Sequence, residues 1–267
     1  DEQVLSRADR LKIVAHSAGS VKRLVTDALY DRGIVVTHAA GRIADSVAEF
    51  TLLCVMMGLR RPQDMDRQMK AGGWPKTREA PVYEIAGRRV GILGMGYVGR
   101  RSARLFQAVG AEVWVYDPYL PAEDAERLGV VKAELDTVLA ECPVISIHLP
   151  VTDETLRMIG PRELSLIQDG AVFVNTARSL VVDQDALLAE LQKGRFWAAL
   201  DVFDQEPLPT DHPYRSLDNV LLTPHVAGLT MDSYRGLMAL AIDEIERFFS
   251  GQPLVYPVTR EMLATMA

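Results

Sequence analysis

The sequence is poor in cysteine and contains no long apolar run. Its two cysteines, Cys54 and Cys142, stand far apart, and isolated cysteines predict neither a disulfide framework nor a metal site. The longest apolar stretch, residues 52–59, is too short to span a bilayer as a helix. Residues 1–3 are polar and do not match a signal peptide. We therefore expect a soluble, cytoplasmic protein without a bound metal.

An excess of positive charge is also missing. The chain has 29 lysines and arginines against 36 aspartates and glutamates, which gives a formal net charge of −7. This balance argues against nucleic acid or an anionic membrane surface as the main partner. A small anionic substrate remains compatible with it, because a few local arginines outweigh the net charge at short range. The length of 267 residues is sufficient for two domains.

The chain does contain an apolar run that ends in a glycine-rich turn. Residues 90–93 lead into Gly94-Met95-Gly96-Tyr97-Val98-Gly99, a helical segment follows, and a second apolar run ends at Asp117. This pattern is typical of a dinucleotide site: the first glycine allows a tight turn, the second admits the pyrophosphate, and the third lets the helix pack on its strand. The helix N-terminus, at Tyr97 and Val98, then faces the phosphates. Asp117 can bind both ribose hydroxyls but would repel a 2′-phosphate, which predicts NAD rather than NADP.

Strand and helix signals alternate through most of the chain. Apolar strands that alternate with helices are typical of an α/β fold with a doubly wound parallel sheet. The clearest helix spans residues 184–193, with Asp183 as its N-cap and Gly194 after its end. Other helices are expected at residues 21–30 and 233–249. The expected strands are residues 11–15, 34–37, 90–93, 113–116, 144–149, 171–175, 197–202 and 220–222.

A long apolar helix is expected ahead of the glycine motif. Ser46-Val47-Ala48-Glu49 matches a capping box that would open this helix, which runs to about Arg60. The helix is apolar nearly all round, so we expect it to be buried between domains or subunits. Residues 61–86 are polar and contain Gly72-Gly73, which predicts an extended arm or loop.

Three side chains suited to the reduction of a ketone follow the later strands. Arg178, Glu206 and His225 each come shortly after a different predicted strand. The carboxyl ends of parallel strands meet at one edge of a sheet, where open α/β proteins bind their ligands. Singly, these residues could be a surface ion pair, a solvated acid and a turn histidine. Together, at three strand ends of one dinucleotide-binding sheet, they indicate an active site.

These ordered motifs resemble the D-isomer-specific 2-hydroxyacid dehydrogenase family over residues 11–257. The resemblance implies a Rossmann-type NAD-binding domain and a smaller, flavodoxin-like substrate domain that is incomplete at its N-terminus. It assigns residues 46–227 to the NAD-binding domain, and residues 1–45 with the returning tail, 228–267, to the substrate domain. Besides the glycine motif with Asp117, it rests on Arg32-Gly33-Ile34-Val35-Val36, Val47-Ala48-Glu49, Ile147-His148-Leu149-Pro150, Asn175-Thr176-Ala177-Arg178, Val182-Asp183, Ala199-Leu200-Asp201-Val202-Phe203, Glu206-Pro207 and Thr223-Pro224-His225.

The resemblance also implies residue roles that agree with the chemistry of hydride transfer between NAD(H) and a 2-hydroxy acid/2-keto acid pair. His225 would be the acid–base group and Glu206 would orient it. Arg178 would bind the substrate carboxylate and polarise the carbonyl. Asp201 and the Ala177 carbonyl would hold the nicotinamide carboxamide. The remaining expected contacts are Leu149, Pro150, Thr176 and Gly228 for the cofactor, and Ala18, Gly19 and Ser20 for the substrate, where many family members carry a Gly-x-Gly loop.

Several alternatives remain open. A homodimer is implied, with the apolar helix and the arm near the subunit contact. A phosphoglycerate dehydrogenase or a glyoxylate/hydroxypyruvate reductase would differ only in its substrate. A non-catalytic NAD-sensing protein, like the corepressors of this superfamily, would bind the cofactor without turnover. His148 shares a strand end with the cofactor residues and is a rival to His225 as the acid–base group.

Replacement of Asp117 tests the expected cofactor preference. Asp117→Ser should weaken NADH binding by roughly 1.5–3 kcal/mol, because it removes a charged hydrogen-bond acceptor. It should also relax discrimination against NADPH, because the repulsion of a 2′-phosphate is lost. Fluorescence titration gives the dissociation constants of both cofactors. A wild-type protein that already binds NADPH as tightly as NADH would contradict this role of Asp117.

Overall fold

The N-terminal part of the chain forms a small two-stranded sheet. The structure, a computed structural model, describes residues 2–22, 24–76, 81–264 and 266. The first elements are α1 (Glu2–Leu5), β1 (Ile13–His16), α2 (Asp27–Asp31) and β2 (Val35–His38). β1 and β2 correspond to the strands expected at residues 11–15 and 34–37, and they pair in parallel. The helix expected at residues 21–30 is shorter than predicted: it begins at Asp27, after a turn in which the Leu24 and Val25 N–H groups donate to the Val21 carbonyl, and residue 23 lies outside the described residues.

A seven-stranded parallel sheet forms the centre of the remaining chain. Its elements are α3 (Ala40–Arg60), α4 (Pro62–Lys70), β3 (Arg89–Leu93), α5 (Tyr97–Ala108), β4 (Glu112–Tyr116), α6 (Ala122–Leu128), β5 (Val131–Lys132), α7 (Leu135–Glu141), β6 (Val144–Ile147), α8 (Pro161–Leu166), β7 (Val172–Asn175), α9 (Gln184–Gln192), β8 (Trp197–Leu200) and β9 (Val220–Leu222). The strand order is β5-β4-β3-β6-β7-β8-β9. β4 and β5 therefore lie on one side of β3, and β6 to β9 lie on its other side. This reversal of the strand order opens a crevice at the carboxyl ends of β3 and β6.

The doubly wound sheet confirms the predicted fold class. Successive strand residues point to opposite faces, so Ile92 packs in the core beneath α3 and α5, while Leu93 packs in the core on the side of α7, α8 and α9. Both side chains are fully buried. The predicted strands are present, with ends that coincide or differ by one or two residues. β5 was not predicted, because a two-residue edge strand carries no periodic signal. In the part of the chain that the structure describes, no helix has the length and hydropathy to cross a membrane.

The long apolar helix begins earlier than the capping box predicted. α3 starts at Ala40, so Ser46 lies inside the helix. Its hydroxyl lies 3.4 Å from that of Thr230 instead of capping a helix end. The prediction was wrong because residues 40–45 continue the helical hydrogen bonding, and a Ser-x-x-Glu spacing also occurs within helices. The boundary expected between residues 45 and 46 consequently falls within one continuous helix.

The arm expected at residues 61–86 is partly helical. α4 occupies Pro62–Lys70, with proline in its first turn, where a missing N–H costs little. Ion pairs of Asp64 with Arg61 and Arg67 lie along this polar helix. Residues 71–76 and 81–84 have no regular structure, and residues 77–80 of the expected arm lie outside the described residues.

The last helix returns the chain to the small sheet. α10 (Met231–Phe249) is capped by Thr230, whose hydroxyl accepts a hydrogen bond from the Ser233 N–H. After this helix, the Val258 N–H donates to the Val36 carbonyl at 2.8 Å. The tail therefore pairs with β2, in the N-terminal part of the chain.

Candidate active site

The glycine-rich turn joins β3 to the N-terminus of α5. Gly94 has a φ of 97°, which residues with a side chain rarely adopt. A Cβ atom at Gly99 would collide with the Gly94 carbonyl oxygen, so α5 packs closely on β3 only with glycine there. At Gly96, nothing lies within 4 Å of the position that a Cβ would take. The turn thus leaves open backbone at a helix N-terminus, which fits a dinucleotide pyrophosphate.

Asp117 lies beside this turn at the end of β4. Its Oδ2 accepts a hydrogen bond from the Met95 N–H at 2.7 Å, and its Oδ1 accepts one from the Tyr119 N–H at 2.8 Å. A carboxylate offers about four acceptor positions, so both oxygens keep capacity for a ribose hydroxyl. The Asp117 carboxylate therefore fits the ribose of NAD at this end of the sheet.

Arg178 is held by a hydrogen-bonded turn after β7. The Asn175 side chain accepts a hydrogen bond from the Ala177 N–H and donates one to the Arg178 carbonyl, both at 3.0 Å. Arg178 Nη1 also donates to the Ala177 carbonyl at 2.6 Å. Asn175 is buried, and its role in shaping this turn was not assigned from the sequence. The sequence signal that could have predicted this role was an asparagine at the end of an apolar strand.

Asp201 fixes the loop that carries His225. Its Oδ1 accepts hydrogen bonds from the Thr223 hydroxyl at 2.6 Å and the Val226 N–H at 2.9 Å, and its Oδ2 accepts one from the Ala227 N–H at 2.9 Å. The carboxylate is almost completely buried. These bonds hold His225 at a φ of 54°, a conformation uncommon outside glycine that concentrates at functional sites. The expected contact of Asp201 with the nicotinamide carboxamide stays a prediction.

His225 and Glu206 form a hydrogen-bonded pair. His225 Nδ1 lies 2.8 Å from Glu206 Oε2, while Glu206 Oε1 accepts a hydrogen bond from the Phe203 N–H at 3.0 Å. Burial raises the pKa of Glu206, but these hydrogen bonds and the positive charges of His225 and Arg178 outweigh burial and leave the pKa below its ordinary value. Glu206 is therefore a carboxylate at neutral pH. Nδ1 of His225 must then be the donor of the pair, and Nε2 is left for a ligand in the cleft.

His148 does not have the environment of an acid–base group. Burial lowers the pKa of its imidazole to about 3, and its Nε2 lies 3.0 Å from the Ser146 hydroxyl. The ring is therefore neutral at physiological pH and has no proton to donate as an imidazolium. These properties favour His225 over His148.

Most of the expected site residues line one cleft of about 520 Å³. Glu206 lies behind His225, and the supporting glycines Gly94 and Gly99, with Asp117, lie outside the cleft lining. The expected residues that line the cleft are Ala18, Gly19, Ser20, Gly96, Tyr97, Val98, Leu149, Pro150, Thr176, Ala177, Arg178, Asp201, His225 and Gly228. Lining residues that sequence reasoning missed are His38, Ala40, Ile43, Val47, Ala227, Leu229, Met262 and Met266.

His38, the last residue of β2, contacts the loop of residues 18–20. Its Nδ1 lies 3.2 Å from the Gly19 carbonyl oxygen, which can only accept, so Nδ1 is the donor. Burial lowers the pKa of His38, which keeps the ring neutral. A polar residue at the end of an apolar strand was the only sequence signal for this contact.

A second cavity, of about 570 Å³, lies beneath α4 at the opposite ends of the strands. It is lined by Arg61, Trp197 and Asn219 among others, and it contains no expected site residue. Within residues 2–22, 24–76, 81–264 and 266, no group of three His, Cys, Asp or Glu side chains is placed to hold a metal ion.

Comparison with known proteins gives a family for most of the chain. Residues 52–227 match the family described as "D-isomer specific 2-hydroxyacid dehydrogenase, NAD binding domain". The matched segment includes the glycine turn, Asp117 and all three candidate catalytic residues. It shows an NAD-binding domain and supports the cofactor expected from the sequence.

Curated relatives and solved structures agree with this match. A glyoxylate reductase of Aeropyrum pernix is 35% identical over 98% of this chain and 81% of its own length. A D-3-phosphoglycerate dehydrogenase of Archaeoglobus fulgidus is 34% identical over 95% of this chain, which spans only 48% of that relative. The crystal structure of D-lactate dehydrogenase from Aquifex aeolicus, complexed with NAD and lactic acid, superposes with a TM-score of 0.81 at 32% identity and covers 94% of this chain and 80% of its own.

Proposed function

The chain belongs to the D-isomer-specific 2-hydroxyacid dehydrogenase family, and on this premise we propose that it transfers a hydride between NAD(H) and a 2-hydroxy acid/2-keto acid pair. One observation carries the proposal: Arg178 and the paired His225 line the same cleft as the glycine turn. A site that only bound NAD would not need an acid–base pair and a carboxylate-binding arginine beside it.

His225 acts as the acid–base group in this proposal. NADH, when bound, supplies the hydride to the carbonyl carbon of the substrate. As negative charge develops on the carbonyl oxygen, Nε2 of His225 donates its proton to that oxygen, and in the reverse direction it removes the proton. Glu206, through its 2.8 Å bond to Nδ1, fixes the orientation of the ring and stabilises the imidazolium.

Arg178 and the loop of residues 18–20 hold the substrate carboxylate. The bond from Arg178 Nη1 to the Ala177 carbonyl fixes the guanidinium beside the cleft. Its planar fork suits a carboxylate and places positive charge near the carbonyl that must be polarised. The backbone N–H groups of the loop add neutral donors, and the bond from His38 to the Gly19 carbonyl fixes that loop.

The proposal extends to the architecture and to the setting. Residues 46–227 act as the NAD-binding domain, and residues 1–45 with residues 228–267 act as the substrate domain, a division supported by the two separate sheets. A homodimer is supported by the exposed apolar side chains of Leu53 and Trp74, on α3 and after α4. A reducing, cytoplasmic setting is supported by Cys54 and Cys142, which are both free and buried.

A panel of 2-keto acids tests the proposed function. With NADH, the protein should oxidise the cofactor in the presence of at least one of glyoxylate, hydroxypyruvate, pyruvate, oxaloacetate or 3-phosphohydroxypyruvate, followed by absorbance at 340 nm. The same panel distinguishes the substrates named for the relatives. Tight NADH binding without turnover on any of these acids would favour an NAD-sensing protein instead.

Replacement of His225 tests the acid–base assignment. His225→Gln should lower kcat by roughly 10²–10⁴ and leave the dissociation constant of NADH nearly unchanged, because the proton donor is lost while the cofactor contacts remain. His212→Gln is the matched control, since His212 lies outside the cleft. A loss below threefold in His225→Gln would remove this residue from the mechanism.

Replacement of Glu206 tests the pairing. A neutral amide stabilises the imidazolium of His225 less than a carboxylate does. In Glu206→Gln the protonated form required for reduction is therefore lost at a lower pH, and the pH optimum for reduction should move downwards while part of the turnover remains. The pH profile of kcat/KM for both proteins gives the comparison. Superimposable profiles would show that the pair does not set the protonation of His225.

A further inference from the structure

Tyr119 links the two strand ends on either side of the glycine turn. It follows the end of β4, and its backbone N–H donates to Asp117 Oδ1 at 2.8 Å. Its hydroxyl donates to Glu154 Oε2 at 2.6 Å. Glu154 lies in the segment after β6, a few residues beyond Leu149 and Pro150, which line the cleft. Because β3 lies between β4 and β6 in the sheet, this link spans the carboxyl end of β3, where the glycine turn begins.

The link brings a second carboxylate near the expected position of the adenosine ribose. Both oxygens of Asp117 accept backbone hydrogen bonds, from Met95 and Tyr119, so this carboxylate is fixed beside the ribose hydroxyls that it is expected to bind. One tyrosine side chain, with a hydrogen bond at each end, separates Asp117 from Glu154. This separation is comparable with the distance of about 10 Å over which exposed charges still act on each other in dilute salt. The charge of Glu154 therefore reaches a group bound at Asp117.

Cations near this position would attract a 2′-phosphate. Arg100 donates through Nε to the Met95 carbonyl at 3.0 Å, and its Nη2 lies 4.0 Å from Asp124. Lys132 donates through Nζ to a main-chain carbonyl of the segment after β4 at 2.6 Å, and it forms no ion pair with a described residue. Asp117 alone therefore faces positive charge around the ribose, and a second acid on this side would add to its repulsion of a 2′-phosphate.

The negative charge of Glu154 is not cancelled by a cation. Among the described residues, no lysine, arginine or histidine forms an ion pair with Glu154, and its hydrogen bond comes from a neutral hydroxyl. That hydrogen bond is the largest cause that raises the pKa of Tyr119, so the hydroxyl remains a donor. Both side chains are exposed. The tyrosine hydrogen bond, rather than burial, therefore determines where this carboxylate lies.

We propose that Glu154, positioned by Tyr119, is a second determinant of cofactor choice that acts with Asp117 to exclude the 2′-phosphate of NADP. Glu154 needs no contact with NAD, since the adenosine ribose of NAD carries a neutral hydroxyl at its 2′ position. A phosphate at that position carries more than one negative charge at neutral pH, and both acids repel it. The inference concerns cofactor binding, so it does not depend on the hydride transfer proposed above.

Binding of NADH and NADPH to a set of variants tests this assignment. Glu154→Gln removes the charge and keeps an acceptor for the Tyr119 hydroxyl, whereas Tyr119→Phe removes only that hydroxyl. Asp153→Asn is the matched control, because it removes the same charge from the adjacent exposed residue, which is not the partner of Tyr119. Glu154→Gln is also combined with Asp117→Ser. Fluorescence titration, at low and at high salt, gives the dissociation constants of both cofactors for each protein.

The discrimination between the cofactors, which is the ratio of the NADPH to the NADH dissociation constant, should fall selectively. In Glu154→Gln we expect a fall of roughly threefold to tenfold, as for one carboxylate facing a phosphate across partly screened solvent. The dissociation constant of NADH should change by less than about twofold, since no charged contact with NAD is lost. Tyr119→Phe should lower the ratio by a smaller factor, and Asp153→Asn should match the wild type. The double variant should discriminate less than Asp117→Ser, and high salt should weaken the effect of Glu154→Gln.

Three results would overturn the assignment. An unchanged ratio in Glu154→Gln would leave the discrimination to Asp117 alone. An equal fall in Asp153→Asn would show a general effect of the charge of this segment. A loss of NADH and NADPH affinity by the same factor would show that Tyr119 and Glu154 only shape the adenosine site. Calorimetric titration with AMP and with adenosine 2′,5′-bisphosphate repeats the comparison on ligands that differ only in the 2′-phosphate, so the nicotinamide end of the site cannot account for the result.

Discussion

All seven strands of the larger sheet run in the same direction, and the site depends on this constraint. Parallel strands bring their carboxyl ends to one edge, so the residues that follow β3, β6, β7, β8 and β9 share one region of space. The reversal of strand order beside β3 keeps that region open. Arg178 and His225 therefore line one cleft with the glycine turn, and Glu206 pairs with His225, although the three residues follow three different strands.

Buried polar side chains hold these strand ends in place. Asp201 ties the loop of His225 through three hydrogen bonds, and Asn175 ties the turn of Arg178 through two. A buried polar group without partners is costly, so each of these side chains favours the one loop conformation that satisfies it. The catalytic groups are thus positioned by residues that need no contact with the substrate, which is how an active site reaches the precision that catalysis requires.

The electrostatics of the cleft differ from those of the whole chain. The protein carries a formal net charge of −7, yet the acids around the cleft are occupied by internal hydrogen bonds and by His225. Arg178 lines the cleft, so its positive charge acts on an anion bound there more strongly than distant charges that water screens. Net charge argues against nucleic acid or an anionic membrane as the main partner, whereas the side chains that line the cleft act on a small anion at short range.

The sequence by itself determined the fold class, the cofactor and the candidate catalytic residues, because each has a local signature. The glycine spacing with Asp117 and the apolar runs of the strands were sufficient for the NAD-binding sheet, and Asp183 correctly marked the start of α9. The capping box at Ser46 was wrong, because the same four residues fit a helix interior once residues 40–45 extend α3. α4 and β5 were not predicted, since the two apolar residues of α4, Met65 and Met69, are too few to indicate a helix in a polar segment, and a two-residue edge strand is too short to show a period.

Only the tertiary structure decided which residues act together. It buried His148 and so distinguished it from His225, it placed His38 under the Gly19 carbonyl, and it brought the Tyr119 hydroxyl to Glu154, 35 residues away in sequence. Burial, hydrogen-bond geometry and the spacing of charges depend on contacts between distant segments. A pattern within one segment does not predict such contacts. The alternation of a strand and the turn of a glycine motif, in contrast, depend on consecutive residues and can be predicted from them.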